Sequence, residues 1–254
     1  MHSPARPDDR IAPELLLRAY RAGIFPMADF REDAEVFWVE PRERAVIPLD
    51  SFHLSRSLAR TLRRGRFTVT CDADFAGVIA ACAAPREELA ESWISHRIEA
   101  SYLALFEQGH AHSIECWRRD DSGTPVLAGG LYGVAFDRVF CGESMFSRAT
   151  DASKVALAWL VAGLRHAGYR LLDCQFITDH LASLGAVTIT QRDYLAQLTA
   201  ARGDPRASLP QALGELVGDG FADGAALGPA GDGASALGAA SSGKLIAQSL
   251  TQTS

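Results

Sequence analysis

The 254-residue chain, 48% hydrophobic and 22% charged, is long enough for one large domain or two smaller ones with a proper core. Its net charge of −6 requires any nucleic-acid contact to come from a local basic patch rather than from the whole molecule. Five scattered cysteines (Cys71, Cys82, Cys116, Cys141, Cys174) with no C-x-x-C pair point to a reducing compartment and away from a disulfide framework or zinc ribbon.

Residues 1–10 hold no apolar stretch of a secretory leader. A first helix is expected over 13–22, with Pro13 in its first turn and Gly23 past its end. Short β pieces at 36–39 and 45–47, separated by Pro41, complete a small N-terminal lobe over 1–50. A helix over 55–64, capped by Ser55 and closed by Gly65, opens the main domain at 51–202. A strand (66–71) follows, then helices over 74–82 and 97–108. An antiparallel β region then runs through 111–118, 126–136 and 139–146. The helix over 152–167, with Asp151 as N-cap, contains the longest apolar run, 155–164, well short of the roughly 20 residues that a bilayer needs. A strand over 170–176 and a helix over 193–200 close an α+β domain. From residue 203 the composition turns to Gly, Ala, Asp and Ser; only 209–217 and 244–250 suit helices, and the tail is expected to be loosely ordered.

The strand Leu171-Leu-Asp-Cys-Gln-Phe176 is the sharpest feature. Alternation puts Asp173 and Gln175 on one face and Leu172, Cys174 and Phe176 on the other. A carboxylate and an amide on a core strand either line a cleft or bond a neighbouring loop, because an unpaired buried polar group costs ~1–3 kcal/mol. Glu143, within Phe140-Cys-Gly-Glu-Ser-Met-Phe-Ser147, suits a substrate ammonium or an ion pair with Arg148 or Lys154. Arg56, Arg60, Arg63 and Arg64 project from one side of the 55–64 helix, with Arg66 beyond it, and in an acidic protein this single-signed face suits phosphate. His110, His112 and Cys116 lack a fourth ligand, so structural roles are favoured over zinc. Cys141 or Cys174 with His180 would make a thiol nucleophile and base, but nothing in the sequence lowers a thiol pKa.

Several runs in colinear order over about residues 12–200 together resemble the leucyl/phenylalanyl-tRNA–protein transferases. They include Gly23-Ile-Phe-Pro26, His53-Leu-Ser-Arg56-Ser, Gly109-His-Ala-His-Ser-Ile-Glu115, Gly130-Leu-Tyr-Gly133, the 140–147 run, Leu172-Asp-Cys-Gln175 and Asp179-His-Leu-Ala-Ser-Leu-Gly-Ala186. The resemblance implies a small N-terminal lobe and a C-terminal domain like the GCN5-type N-acetyltransferases. The implied reaction moves leucine or phenylalanine, with methionine as a further candidate, from aminoacyl-tRNA to the α-amino group of proteins beginning with Arg or Lys. This marks them for degradation in the N-end rule. No cofactor, metal or membrane is implied, and the protein is expected to work as a cytoplasmic monomer.

By position, the resemblance makes Asp173 and Gln175 catalytic, with Asp173 drawing a proton from the attacking amine through Gln175 or orienting it. It assigns Leu131, Phe140, Met145, Leu157, Leu160, Leu164 and Leu172 to the amino-acid pocket, with Glu143 near the aminoacyl amine. Because Leu172 alternates with Asp173, the strand must bend or end there. Trp93 would stack on the terminal adenosine. Met27 stands where much of the family has a second tryptophan, which implies one-sided stacking. Leu160 and Leu164 occupy positions that bear on the Leu:Phe preference, and Arg56, Arg60, Arg63, Arg64 and Arg66 are the tRNA-binding candidates.

Two other classes compete. An acyl-CoA-dependent N-acetyltransferase should carry a glycine-rich pyrophosphate loop before its long helix, whereas Ser147-Arg-Ala-Thr-Asp-Ala-Ser153 has no glycine and an aspartate. A non-catalytic tRNA-binding protein would use the arginine helix and leave Asp173, Gln175 and Glu143 without purpose.

Overall fold

The structure is a computed structural model and describes residues 10–85, 92–218, 222–223 and 236–251. The leader reading of residues 1–10 therefore lies almost wholly outside the described residues. The elements are α1 (Pro13–Arg21), β1 (Phe25–Met27), β2 (Phe37–Val39), β3 (Glu43–Ile47), α2 (Arg56–Arg63), β4 (Thr68–Cys71), α3 (Phe75–Ala83) and α4 (His96–Glu107). Next come β5 (Ala111–Arg119), β6 (Pro125–Phe136), β7 (Val139–Ser147), α5 (Ala152–Ala167), β8 (Leu171–Asp173) and α6 (Asp179–Ala182). The last are β9 (Val187–Thr190), α7 (Gln191–Ala200), α8 (Leu209–Val217), β10 (Ala222–Asp223) and α9 (Ala236–Thr251).

Eight strands form one mixed sheet in the order β10-β4-β5-β6-β7-β8-β3-β9, parallel only at β10/β4 and β7/β8. One face buries Leu58 and Leu62 of α2, the apolar side chains of α5, and Leu209 and Leu213 of α8. The other buries α1, α3, α4 and α7 through residues such as Leu16, Phe75, Tyr102 and Tyr194. This is the α+β class read from the sequence, with helices on both faces. None of the described helices is long and apolar enough to cross a membrane.

The edge of the small lobe moves. β3 was expected inside it, yet Val46 and Ile47 pair with Asp173 and Leu172 of β8, and Glu43–Val46 pair with β9. The cause is burial: Ala45, Val46 and Ile47 are an unbroken apolar run, fit for an inner strand covered on both faces. What remains apart is the β1–β2 ribbon, in which Met27 pairs with Phe37.

The tail also differs from expectation. α8 spans the residues expected to be helical and buries Leu209, Ala212, Leu213 and Val217 against α5. α9 packs on α2 and α5 with Ile246, Ala247 and Leu250 buried. Composition hid this because small residues permit close packing: a Cβ at Gly243 would lie 2.1 Å from the Leu62 carbonyl oxygen. Ile246→Ala is accordingly expected to cost about 2–4 kcal/mol in chemical denaturation. A loosely attached tail would give a change within about 0.5 kcal/mol.

Candidate active site

Two departures from regular sheet geometry create the site. The first is a bulge in β7. Gly133 pairs with Gly142 and Tyr132 with Ser144, so Glu143 is the extra residue facing no partner. The bulge inverts the alternation, so that Phe140 and Met145, five residues apart, both lie on the α5 side. Gly133 is required here, since a Cβ on it would sit 2.2 Å from the Cys141 carbonyl oxygen.

The second departure is the early end of β8. The sequence predicts a strand over 170–176, but pairing with β7 stops at Cys141↔Asp173. Gln175 then adopts φ +55°, an uncommon conformation for a side-chain-bearing residue. The Asp173 carboxylate imposes the turn by accepting the Gln175 backbone N–H at 2.9 Å. Beyond that point β7 runs on to Ser147 while the other chain turns away toward β3, where the Gln175 carbonyl accepts from Ala45 N–H. A cleft opens where the two parallel strands part.

The cleft encloses about 910 Å³, within the range of small-molecule sites. Its apolar wall comprises Leu131, Met145, Leu157, Leu160, Leu172 and Leu181. Met27 and Trp93 lie on its rim, brought together where Ala28 N–H donates to the Trp93 carbonyl. Glu143 and Gln175 also line it, 3.1 Å apart, with Gln175 Nε2 donating to Glu143 Oε1. Tyr102 Oη donates to Glu143 Oε2 at 2.9 Å, and Tyr20 in turn bonds Tyr102. Burial pushes the Glu143 carboxyl up to about 7, against the downward pull of the two tyrosine hydroxyls. It therefore titrates near neutrality.

Asp173 is not in the cleft. It is fully buried behind Gln175 and accepts four hydrogen bonds: Arg44 Nε (2.8 Å) and the Gln175 N–H at Oδ1, Arg44 Nη2 (2.6 Å) and Tyr194 Oη (3.0 Å) at Oδ2. Arg44 is itself 1% exposed, with its guanidinium between the Phe25 and Tyr194 rings at 4.7 and 4.4 Å and Nη1 on the Gly23 carbonyl. Burial alone would lower the Arg44 pKa, but its bonds and proximity to Asp173 more than offset this and raise it. An acceptor engaged four times has no lone pair left for a substrate proton.

Residues 46–199 match the family described as leucyl/phenylalanyl-tRNA protein transferase, and residues 9–42 match that family's N-terminal domain. A leucyl/phenylalanyl-tRNA–protein transferase of Novosphingobium aromaticivorans is 62% identical over 96% of this chain and 97% of its own length. The chain belongs to this family. Proteins of the same name from Rhizorhabdus wittichii and Zymomonas mobilis are each 58% identical, over 76% and 75% of this chain and 76% and 69% of their own lengths. The protein is thus an aminoacyltransferase that carries leucine or phenylalanine from tRNA to protein.

Set against the transferase site expected from the sequence, Glu143, Gln175, Leu131, Met145, Leu157, Leu160, Leu172, Trp93 and Met27 all line the cleft. Phe140 and Leu164 do not; both are wholly buried in the cluster behind the apolar wall. Asp173 and Gln175 do not share a face, because the strand ends between them. Asp151 stands at the N-cap of α5 as expected, but its side chain does not cap the helix: at φ +71° its carboxylate accepts from Thr61 Oγ1 of α2 at 3.2 Å, and Ser147 Oγ receives the Ser153 N–H. Glu143 bonds Tyr102 and Gln175 rather than Arg148 or Lys154. Arg56, Arg60, Arg63, Arg64 and Arg66 are all exposed.

The thiol reading loses its chemistry. Burial raises the Cys141 and Cys174 thiols, so neither is a thiolate near neutrality. His112 pairs with Asp72 at 2.7 Å, and burial raises the Cys116 thiol. Sequence reasoning gave no role to Arg44, Tyr194, Tyr102 or Tyr20. The available signal was the polarity of Asp173 itself, which called for a cation somewhere in the fold.

Proposed function

We propose that the acceptors of this transferase are proteins with an N-terminal Arg or Lys, and that transfer takes place at Glu143 and Gln175 in the parting of β7 and β8. The observation that carries this reading is one neutral-range carboxylate and one amide side by side at the end of an apolar wall. The leucyl or phenylalanyl side chain lies along Leu131, Met145, Leu157, Leu160 and Leu172, and the terminal adenosine lies against Trp93, with Met27 beside it. The acceptor amine enters over Glu143 and Gln175. Its nitrogen bonds to the ester carbonyl carbon, the bond to the ribose oxygen breaks, and the amine proton passes to Glu143 and from it to the departing ribose oxygen, which leaves the carboxylate as it began. Holding amine and ester together supplies much of the acceleration, since the ester is already activated. Asp173 touches no reactant in this scheme; with Arg44 and Tyr194 it holds Gln175 in place.

The exposed arginines of α2, with Arg66, take the phosphates of the tRNA body. The five cysteines form no disulfide, which is in keeping with a cytoplasmic protein. The deciding experiment compares labelled Leu-, Phe- and Met-tRNA as donors to peptides beginning with Arg, Lys or Ala. Transfer to the Arg and Lys peptides and not to Ala is expected; equal transfer to all three would remove the acceptor assignment. Arg60, Arg63 and Arg64 changed together to Ala should weaken tRNA binding and flatten its salt dependence by about two to three charges, and unchanged affinity would dismiss the α2 face.

A further inference from the structure

One wall of the cleft has no part in that scheme. The cleft is also lined by Arg148, Lys154 and His180 and by the hydroxyl-bearing Ser147, Thr150, Ser153 and Thr178. Lys154 lies in the first turn of α5 and has no acidic partner among the described residues. Arg148 lies over the Phe146 ring at 5.2 Å and reaches only the Leu127 carbonyl. His180 Nε2 is shut off from solvent with no hydrogen-bond partner among the described residues. Such an orphan group calls for a ligand atom. Burial and the charge of Lys154 lower the His180 pKa, so near pH 7 the ring is neutral.

Two carboxylates, Asp151 and Glu143, share this lining and oppose an anion, so the cations here have to outweigh them. Asp151 is turned to Thr61, and Glu143 is held by Tyr102 and Gln175. The Thr61–Asp151 bond also joins this wall to α2, since Thr61 lies between Arg60 and the pair Arg63 and Arg64 on that helix.

We propose that Lys154, with Arg148 and His180 Nε2, forms an anion subsite that holds the last phosphodiesters of the aminoacyl-tRNA 3′ end. The subsite links the aminoacyl cleft to the arginine face of α2. It rests on the reading that the cleft holds the aminoacyl group. Lysine gives a compact point charge for phosphate oxygens, and the neutral imidazole adds one N–H donor.

The test uses two donors with the same ester and base: leucyl-tRNA, and 3′-leucyl-adenosine, which carries no phosphate. For Lys154→Gln, KM for leucyl-tRNA should rise five- to ten-fold with kcat unchanged, and its salt dependence should flatten by about one charge. KM for leucyl-adenosine and for the acceptor peptide should not move. Equal effects on both donors, no effect on either, or a raised peptide KM would overturn the subsite. Met145→Trp, which narrows the cleft, separates the two readings. It should slow both donors; if it slows neither, the cleft assignment falls and the subsite with it. If it slows both and Lys154→Gln does not discriminate, only the subsite falls. Lys154 and Lys244 are the only lysines, which gives a check independent of turnover. Bound deacylated tRNA should protect Lys154, and not the exposed Lys244, from amine acylation; equal labelling of the two would overturn the contact.

Discussion

Arg44→Met is expected to destabilise the protein by about 3–5 kcal/mol, because it leaves the Asp173 carboxylate buried without its cation. The bidentate pair has two aromatic rings over the guanidinium and a tyrosine hydroxyl on the carboxylate, so each desolvated charge is compensated and none can be removed alone. Arg44→Met with Asp173→Asn should recover part of the loss, since the uncompensated charge goes. The same cluster decides what Asp173 does in transfer. A base must lose function with any neutral replacement. A positioning group needs only an acceptor for the Gln175 N–H, which the Asn oxygen supplies. Below the melting range, Asp173→Asn is expected to keep kcat within about ten-fold of the parent, while Asp173→Ala falls by about a hundred-fold or more. Neither change should move KM for leucyl-tRNA. An Asn variant as slow as the Ala variant would restore Asp173 as the base.

The sequence showed the parts of the fold that local rules govern. The α5 boundaries follow from an apolar run that ends at Gly168 in the left-handed conformation, and α8 follows from Ser208 as cap with Pro210 in the first turn. Leu172 and Asp173 were correctly set on opposite sides by alternation, and the need for a strand end was readable from that conflict. What was not legible depends on partners distant in sequence. Arg44 and Asp173 are 129 residues apart, and nothing near Arg44 marks it as a buried cation. The bulge at Glu143 is visible only once β6 fixes the register, so period-two reasoning carried past it would misplace Met145. The 244–250 part of α9 was legible as helix, but its close packing was not, because composition reports side-chain volume and not how closely two backbones approach.

Glu143→Gln should separate stability from activity, and in opposite directions. Burial raises the Glu143 carboxyl from 4.5 to about 7 in the folded protein. A raised carboxyl contributes stability that is fully present below pH 4.5 and is lost as pH rises through about 7, since above that the fold must hold a charge it disfavours. The glutamine variant carries no such charge, and its amide oxygen still accepts from Tyr102. Wild type and variant should therefore match near pH 4.5, and at pH 8 the variant should be the more stable by roughly 3 kcal/mol. Transfer should move the other way. With no carboxylate to receive the amine proton, kcat/KM at pH 8 is expected to fall about a hundred-fold. The rise of the parent's rate around pH 7 should disappear, leaving only that of the acceptor amine at about 8. Denaturation at the two pH values and a rate profile between pH 6 and 9 measure both effects on the same preparations. A variant less stable at every pH would make Glu143 a structural acceptor for Tyr102. A variant that is stable and fully active would leave the proton to the ribose hydroxyl of the donor and assign the cleft a positioning role alone.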